Sequence, residues 1–182
     1  GNQISWPSGT KEFVVYYQVD NSLGISSEAL LEILTETAED FEKNTGVIFE
    51  FVEGTASLED TKIDLFFSSD ETYFSSSAVA AVTRINSTED EFEIVTADII
   101  INNEASLEEE SNSRDYIGNV ISHELGHVVG LLHSNVFGST MRADLAFGQH
   151  DLESDDIKGV LSVLNLDSVK SNESGSVKGY LI

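Results

Sequence analysis

The stretch SHELGHVVGLLHS, residues 122–134, holds three of the four histidines in this chain of 182 residues. His123 and His127 are four positions apart, so on a helix both imidazoles project from one face, about one turn apart. Glu124 lies one position round the same helix, where its carboxylate can reach a water on a metal held by the two rings. The stretch therefore predicts an α-helix that carries part of a metal site.

Gly130 and His133 complete this pattern. Gly130 is predicted to end the helix in a backbone conformation with positive φ, which lets the chain turn back and bring His133 to a third ligand position. The chain has no cysteine, so the site would consist of three neutral imidazoles and one open position, an arrangement typical of catalytic zinc. Each histidine taken singly fits an ordinary partly buried side chain, but the agreement of the whole set with one geometry favours the metal site.

The chemistry expected at such a site is hydrolysis of an amide bond. A zinc-bound water has its pKa lowered to roughly 7, and the neighbouring carboxylate of Glu124 can take its proton as it attacks a carbonyl carbon. The metal polarises the carbonyl, and the protonated carboxyl then passes the proton to the departing amine.

Hydrophobic periodicity predicts three helices. The active-site helix covers residues 114–130, after Ser111 or Ser113 as the cap, and its core-facing positions are Ile117, Val120, Ile121, Val128 and Val129. An earlier helix begins at Ser26 or Ser27 and stops at residues 44–46. Its apolar stripe consists of Leu30, Leu31, Ile33, Leu34, Ala38 and Phe41. A last helix is predicted over residues 153–164, with Asp155 and Asp156 in its first turn, where they suit the positive end of the helix dipole.

Segments rich in β-branched and aromatic residues predict five strands, over residues 11–20, 47–52, 62–67, 78–85 and 96–102. One strand, a long helix and then several strands predict an α+β fold with a twisted mixed five-stranded sheet and a backing helix.

Composition limits the classes of function. A chain of this length with 40% hydrophobic residues can bury the core of one domain. Its formal charge of −24 opposes binding to nucleic acid or to an anionic lipid surface. No apolar run approaches the length of a membrane span, and residues 1–9 lack the features of a signal peptide. We expect a monomer with a solvated acidic surface.

Residues 123–133, HELGHVVGLLH, followed by the triplet STM that ends at Met141, resemble the extended zinc motif and Met-turn of the metzincin metallopeptidases. Ser134 after the third histidine, and the segment 152–164, are similar to the matrixin branch, the one that includes the matrix metalloproteases. The resemblance implies a metzincin-like zincin fold and a zinc endopeptidase acting on protein or peptide substrates. It also implies that Met141, the only methionine, forms an apolar floor under the metal.

The resemblance further implies domain boundaries and substrate contacts. We expect an N-terminal extension over residues 1–10, a metallopeptidase domain over residues 11–166 and a tail over residues 167–182, in a protein that is secreted, on the cell surface or periplasmic. The strand that contains Ala80 and Ala81 would border the cleft as the sheet edge, although an inner strand is equally compatible with the sequence. After the Met-turn, Ala143 and Leu145 stand where matrixins carry a Pro-x-Tyr stretch that lines a substrate pocket.

Vertebrate matrixins hold a second, structural zinc with three further histidines. Only His150 remains here, so the resemblance implies one zinc per chain, and His150 fits a residue at the surface or one that contacts a metal ligand. The sequence allows a calcium site but does not specify one, because residues with hard oxygen ligands are present and the EF-hand loop pattern is absent. These oxygen-bearing residues are Asp70, Asp98, Asn102, Glu104 and residues 108–110. Two alternatives to the peptidase are a noncatalytic zinc-containing binding or adhesion module and a hydrolase of a non-peptide substrate. Glu124 favours the enzyme over the module, because a binding module has no need for a carboxylate there.

Overall fold

The computed structural model of the chain describes residues 4–19, 25–55, 62–76, 78–88, 93–104, 113–144 and 151–167. Its strands are β1 (Glu12–Tyr17), β2 (Ile48–Glu53), β3 (Lys62–Ser68), β4 (Ala81–Ser87) and β5 (Ile94–Asn102). They form one sheet in the order β2-β1-β3-β5-β4, in which β4 runs antiparallel to β5 and every other neighbouring pair is parallel. The predicted five-stranded mixed sheet is confirmed.

Helix α1 (Ser27–Thr45) packs against β2 and against the other helices. Ser26 is its N-cap, and the side chain of Ser26 accepts a hydrogen bond from the backbone N–H of Ala29. Gly46 ends the helix with a φ of 74°, within the stop signal predicted at residues 44–46. The predicted apolar stripe is buried except at Leu31, which is 39% exposed. Leu31 lies about 100° round the helix from Leu30, which places it at the solvent border of the stripe.

Helices α2 (Ser113–Val128) and α3 (Ser154–Val163) complete the fold. All five of the core-facing positions predicted for α2 are buried. Helix α2 contacts α1 and the strands β4 and β5, and these contacts hold it against that side of the sheet. Helix α3 begins with a capping box, in which the carboxylate of Asp156 accepts a hydrogen bond from the backbone N–H of Glu153 at 3.0 Å.

Strand β4 begins at Ala81, three residues later than the hydrophobic pattern predicted. The preceding residues are linked to β5 by one residue: the side-chain amide of Asn102 donates to the carbonyl of Val79, and the backbone N–H of Asn102 donates to the carbonyl of Ala80. Of the two positions that the sequence left open, β4 occupies the edge of the sheet rather than its interior.

The described part of the predicted N-terminal extension, residues 4–10, packs on the domain. Trp6 is buried and stacks edge-on against Phe13, with ring centroids 5.4 Å apart. Its indole N–H donates to the carbonyl of Val128, at the C-terminal end of α2, at 2.5 Å. Ser5 forms a parallel bridge with Glu93, next to the start of β5. Residues 4–10 therefore brace the end of the helix that carries the histidines.

Trp6→Ala is expected to lower the free energy of unfolding by about 3–5 kcal/mol, the usual range for deleting a buried aromatic side chain. Chemical denaturation followed by circular dichroism measures it, since Trp6 is the only tryptophan and its fluorescence disappears with the substitution. Trp6→Phe keeps most of the apolar volume and loses only the indole hydrogen bond, so it should recover most of the stability. A change below about 1 kcal/mol in Trp6→Ala would mean that this segment contributes little to the core.

Candidate metal centre

Helix α2 places His123 and His127 one turn apart in its C-terminal half. Their Nε2 atoms lie 3.1 Å apart, and the two rings stand nearly perpendicular. His123 is buried, whereas His127 is partly exposed. The four-residue spacing therefore brings both imidazoles to one point, as the sequence predicted.

Gly130 ends α2 in the conformation that the sequence predicted, with a φ of 103°. The backbone N–H of Gly130 donates to the carbonyl of His127, and that of Leu131 donates to the carbonyl of Gly126, the two bonds of a Schellman turn. A Cβ at position 130 would also come within 2.9 Å of Val163, so this position requires glycine on two grounds. The turn reverses the chain and brings His133 back to the helix face.

The three Nε2 atoms form a nearly equilateral triangle. His133 lies 3.3 Å from His123 and 3.2 Å from His127, measured between Nε2 atoms. A tetrahedral ion with metal–nitrogen bonds of about 2.0–2.1 Å holds its ligand nitrogens about 3.3 Å apart. The spacing of the imidazoles thus fits one zinc ion. Among the described residues, these three form the only group of His, Cys, Asp or Glu side chains placed closely enough to hold a metal.

Hydrogen bonds to backbone carbonyls set the tautomers of two of these rings. Nδ1 of His123 lies 2.7 Å from the carbonyl oxygen of Thr140, and Nδ1 of His127 lies 2.8 Å from that of Leu131. A carbonyl oxygen only accepts, so both Nδ1 atoms carry the hydrogen and both Nε2 lone pairs face the centre of the triangle. Burial lowers the pKa of His123, and it lowers the pKa of His127 to about 4. Both rings are therefore neutral at physiological pH, the form in which imidazole binds zinc.

Glu124 lies beside the triangle with its carboxyl group enclosed by protein. The residue is 5% exposed, and its Oε2 accepts a hydrogen bond of 2.5 Å from the hydroxyl of Thr83 on β4. Burial raises the pKa of Glu124 to about 7, and the hydrogen bond from Thr83 opposes this shift. A carboxyl group with a pKa near neutrality can both accept and return a proton at physiological pH.

Met141 lies beneath α2 at the level of the histidines. It is 1% exposed, and a Cβ on Gly126 would overlap its sulfur, so the glycine in the motif allows the methionine to approach the helix backbone closely. The backbone N–H of Ser134 donates to the carbonyl of Met141 at 2.8 Å, which links the segment after the third histidine to this turn. Met141 is therefore packed against the turn of α2 that carries His123 and His127.

Asp156 holds the Met141 turn in place, a role that the sequence did not reveal. Its buried carboxylate accepts hydrogen bonds from the Ser139 hydroxyl at 2.6 Å and from the backbone N–H of Thr140 at 2.9 Å. The carbonyl of Thr140 in turn orients His123. The sequence placed Asp156 in the first turn of a helix and suggested only a dipole interaction, because nothing local indicates its partners from residues 139–140.

The site opens into a cleft of about 930 Å³, and one of its walls is β4. The three histidines, Glu124 and Thr83 line this cleft, together with predicted substrate contacts Ala80, Ala81 and Ala143. Ile4, from the N-terminal segment, also lines it, and this contribution could not be predicted from the sequence. The predicted contact Leu145 and the remaining histidine, His150, lie outside the described residues.

Two of the residues considered for calcium use a side-chain oxygen to accept a hydrogen bond from the nearby backbone. Asp70 Oδ1 accepts the backbone N–H of Thr72, and Asn102 Oδ1 accepts that of Glu104, each at 2.9 Å. Residues 108–110 lie outside the described part of the chain. These loops provide no observation that favours a calcium ion.

The family model described as Matrixin matches residues 9–164, a span that includes every strand and helix of the structure. The chain belongs to the matrixin family. Matrixins are metalloendopeptidases that typically carry a catalytic zinc, and this matrixin brings together the three histidines that such a zinc requires. The resemblance inferred from the sequence is thereby confirmed. The comparison with curated proteins found no match to this matrixin.

Membership of the family has two broader consequences. A peptidase of this family acts on protein substrates, and matrixins are generally extracellular. In the described part of this matrixin, none of the helices is both long enough and apolar enough to cross a membrane.

Proposed function

We propose that this matrixin hydrolyses peptide bonds in extended segments of protein substrates, with one zinc held by His123, His127 and His133 and with Glu124 as general base and then general acid. One observation carries this proposal: a buried carboxyl group lies beside three imidazole nitrogens that converge on one point. A site that only stored zinc for stability would gain nothing from enclosing that carboxyl group, because burial of an acid is unfavourable.

Glu124 performs the proton transfers in this proposal. When bound, zinc supplies a Lewis acid for the scissile carbonyl and an activated water as the nucleophile. The carboxylate of Glu124 accepts the proton released as the nucleophile attacks the carbonyl carbon. It then donates this proton to the nitrogen of the departing amine, which leaves as a neutral amine rather than as an unstable anion. The enclosed position of Glu124 keeps bulk water from competing for the proton.

The edge of β4 is the proposed binding site for the substrate backbone. One side of β4 pairs with β5, and residues 78–83 line the cleft. An extended peptide can therefore add to the free side of β4 as a further strand, through main-chain hydrogen bonds that do not depend on its sequence. Ala80 and Ala81 have small side chains that permit close approach. Ala143 lines the cleft beyond the Met141 turn, and we assign it and Leu145 to the pocket for a substrate side chain.

Met141 supports the three ligands as an apolar floor, because it is fully buried against the glycine in the middle of the zinc-binding motif. We infer a secreted, cell-surface or periplasmic monomer, in agreement with the generally extracellular location of matrixins and with the highly acidic composition, which favours solubility.

Digestion of a peptide library, read by mass spectrometry with and without a zinc chelator, tests the proposed activity. Cleavage should occur within the peptides rather than only at their ends, it should stop when the chelator is added, and it should return when zinc is restored. The side chains enriched beside the cut report the preference of the pocket. Protein that holds one zinc per chain and yet leaves the whole library intact would instead support the noncatalytic binding module.

A further inference from the structure

On the edge strand β4, the side chain of Thr83 contacts Glu124. Its hydroxyl lies 2.5 Å from Oε2 of Glu124 and 3.4 Å from the backbone carbonyl oxygen of the same residue. The short distance to Oε2 is typical of an O–H donor on a charged carboxylate, which is among the stronger hydrogen bonds in proteins. The carbonyl lies farther away and competes weakly for the same hydrogen.

We infer that Thr83 is a positioning residue for the reaction: its hydroxyl holds the carboxylate of Glu124 in the orientation needed for proton transfer. This inference rests on the proposed function, in which Glu124 moves the proton. Nothing in the pattern of residues 122–134 indicates the partner, because Thr83 precedes Glu124 by 41 positions in the chain.

The need for such a partner follows from the geometry of a glutamate side chain. The terminal torsion of Glu has a broad energy profile, so the carboxylate plane is not set by the side chain itself. The bond from Thr83 occupies Oε2 and thereby defines this plane, which leaves Oε1 to exchange the proton. Threonine supplies this hydroxyl from a side chain whose β-branching also favours the strand conformation of β4.

The position of Thr83 also connects the base with the substrate. The residue belongs to β4, where it pairs with Ile99 of β5, and it lines the cleft with its neighbours on the strand. A peptide that adds to the free side of β4 is therefore held by the same strand that orients the carboxylate. The scissile bond and the proton acceptor are placed in one frame, and positioning of this kind lowers the barrier to reaction.

Thr83→Val tests this inference, since valine keeps the shape and the branching of threonine and replaces only the hydroxyl by a methyl group. We expect kcat to fall about 10- to 100-fold, as for the loss of a hydrogen bond to a charged group, with KM changed less than about threefold. Thr83→Ser restores the hydroxyl and should return kcat to within about threefold of the parent. Zinc content and the denaturation midpoint should stay at the parent values in both variants.

Thr96→Val is the matched control for the chemical change. Thr96 lies on β5 and its hydroxyl oxygen accepts a hydrogen bond from the side chain of Asn86, away from Glu124. The control removes a hydroxyl from the same sheet and should leave kcat unchanged. An equal loss in Thr96→Val and Thr83→Val would assign the effect to the sheet in general and overturn the inference.

A double-mutant cycle separates the positioning role from a structural role. In a Glu124→Gln background, where no proton can be transferred through position 124, Thr83→Val should cause no further loss of kcat. A full additional loss in that background would show that Thr83 acts without Glu124 and would overturn the inference. Should Thr83→Val fail to fold, Thr83→Ser still decides: folded Thr83→Ser protein with kcat reduced as strongly as 10-fold would contradict a role for the hydroxyl.

The outcomes also distinguish this inference from the proposed function. If Glu124→Gln retains full turnover, the assignment of Glu124 as the base fails, and the inference about Thr83 fails with it. If Glu124→Gln loses turnover while folded Thr83→Val keeps kcat within about twofold of the parent, only the role of Thr83 is wrong.

Discussion

Glu124→Gln is expected to lower kcat by about 10²- to 10⁴-fold, the usual contribution of a general acid–base group. Glutamine has nearly the same shape as glutamate, and its carbonyl oxygen can still accept the hydrogen bond from Thr83. It cannot take up or return a proton at physiological pH. The zinc ligands are unchanged by the substitution, so the zinc content should remain near one ion per chain while turnover is lost.

Steady-state cleavage of a peptide selected from the library measures this effect, and elemental analysis measures the zinc. Glu50→Gln is a suitable control, because Glu50 is exposed on β2, at the opposite edge of the sheet, and loses the same charge. It should retain the parent kcat. Unchanged turnover in Glu124→Gln, with zinc retained, would remove Glu124 from the mechanism.

His127→Ala is expected to abolish zinc binding and activity together. Two imidazoles remain in the variant, and the triangle of nitrogens that fits a tetrahedral ion is broken. Loss of a residue that hydrogen-bonds to a metal ligand typically lowers the affinity for the metal roughly 10- to 100-fold. Loss of the ligand His127 itself should lower the affinity for zinc by more than this. The two Glu124 and His127 variants should thus differ in zinc content, although both lose turnover.

Two measurements report the loss of zinc binding: the zinc content of the purified protein, and the shift of the thermal denaturation midpoint when zinc is added. The parent should be stabilised by added zinc after chelation, because a ligand that binds only the folded state raises its stability, whereas His127→Ala should show little stabilisation. His150→Ala is the matched control and should keep zinc and activity. Zinc loss in His150→Ala equal to that in His127→Ala would add His150 to the ligands.

Residues 122–134 contained most of the information about the candidate centre. A spacing of four residues determines which side chains share a helix face, and glycine at position 130 permits the positive φ that ends the helix. Both consequences follow from local backbone geometry. The convergence of His123, His127 and His133 could therefore be predicted before any tertiary contact was known. The ends of α1 were predicted to within one or two residues, at Ser26 or Ser27 and at residues 44–46.

The groups around the ligands could not be predicted in this way. Thr83 contacts Glu124 across 41 positions of sequence, and Trp6 contacts the end of α2 across 122. Asp156 is an acidic residue at a helix start by its sequence, yet its carboxylate holds the turn that precedes Met141. Each of these contacts depends on how separate elements pack, which a local pattern does not encode.

Local patterns were enough to predict the helices and strands, the three histidines and the hydrolytic chemistry, because periodicity, capping and ligand spacing act within one or two turns of chain. The place of β4 at the edge of the sheet, the contact of residues 4–10 with α2 and the contact of Thr83 with the carboxylate became visible only in the folded chain. Hydrogen bonds and packing between distant elements depend on the strand order and on the helix placement, and many arrangements of the same elements satisfy the same local rules.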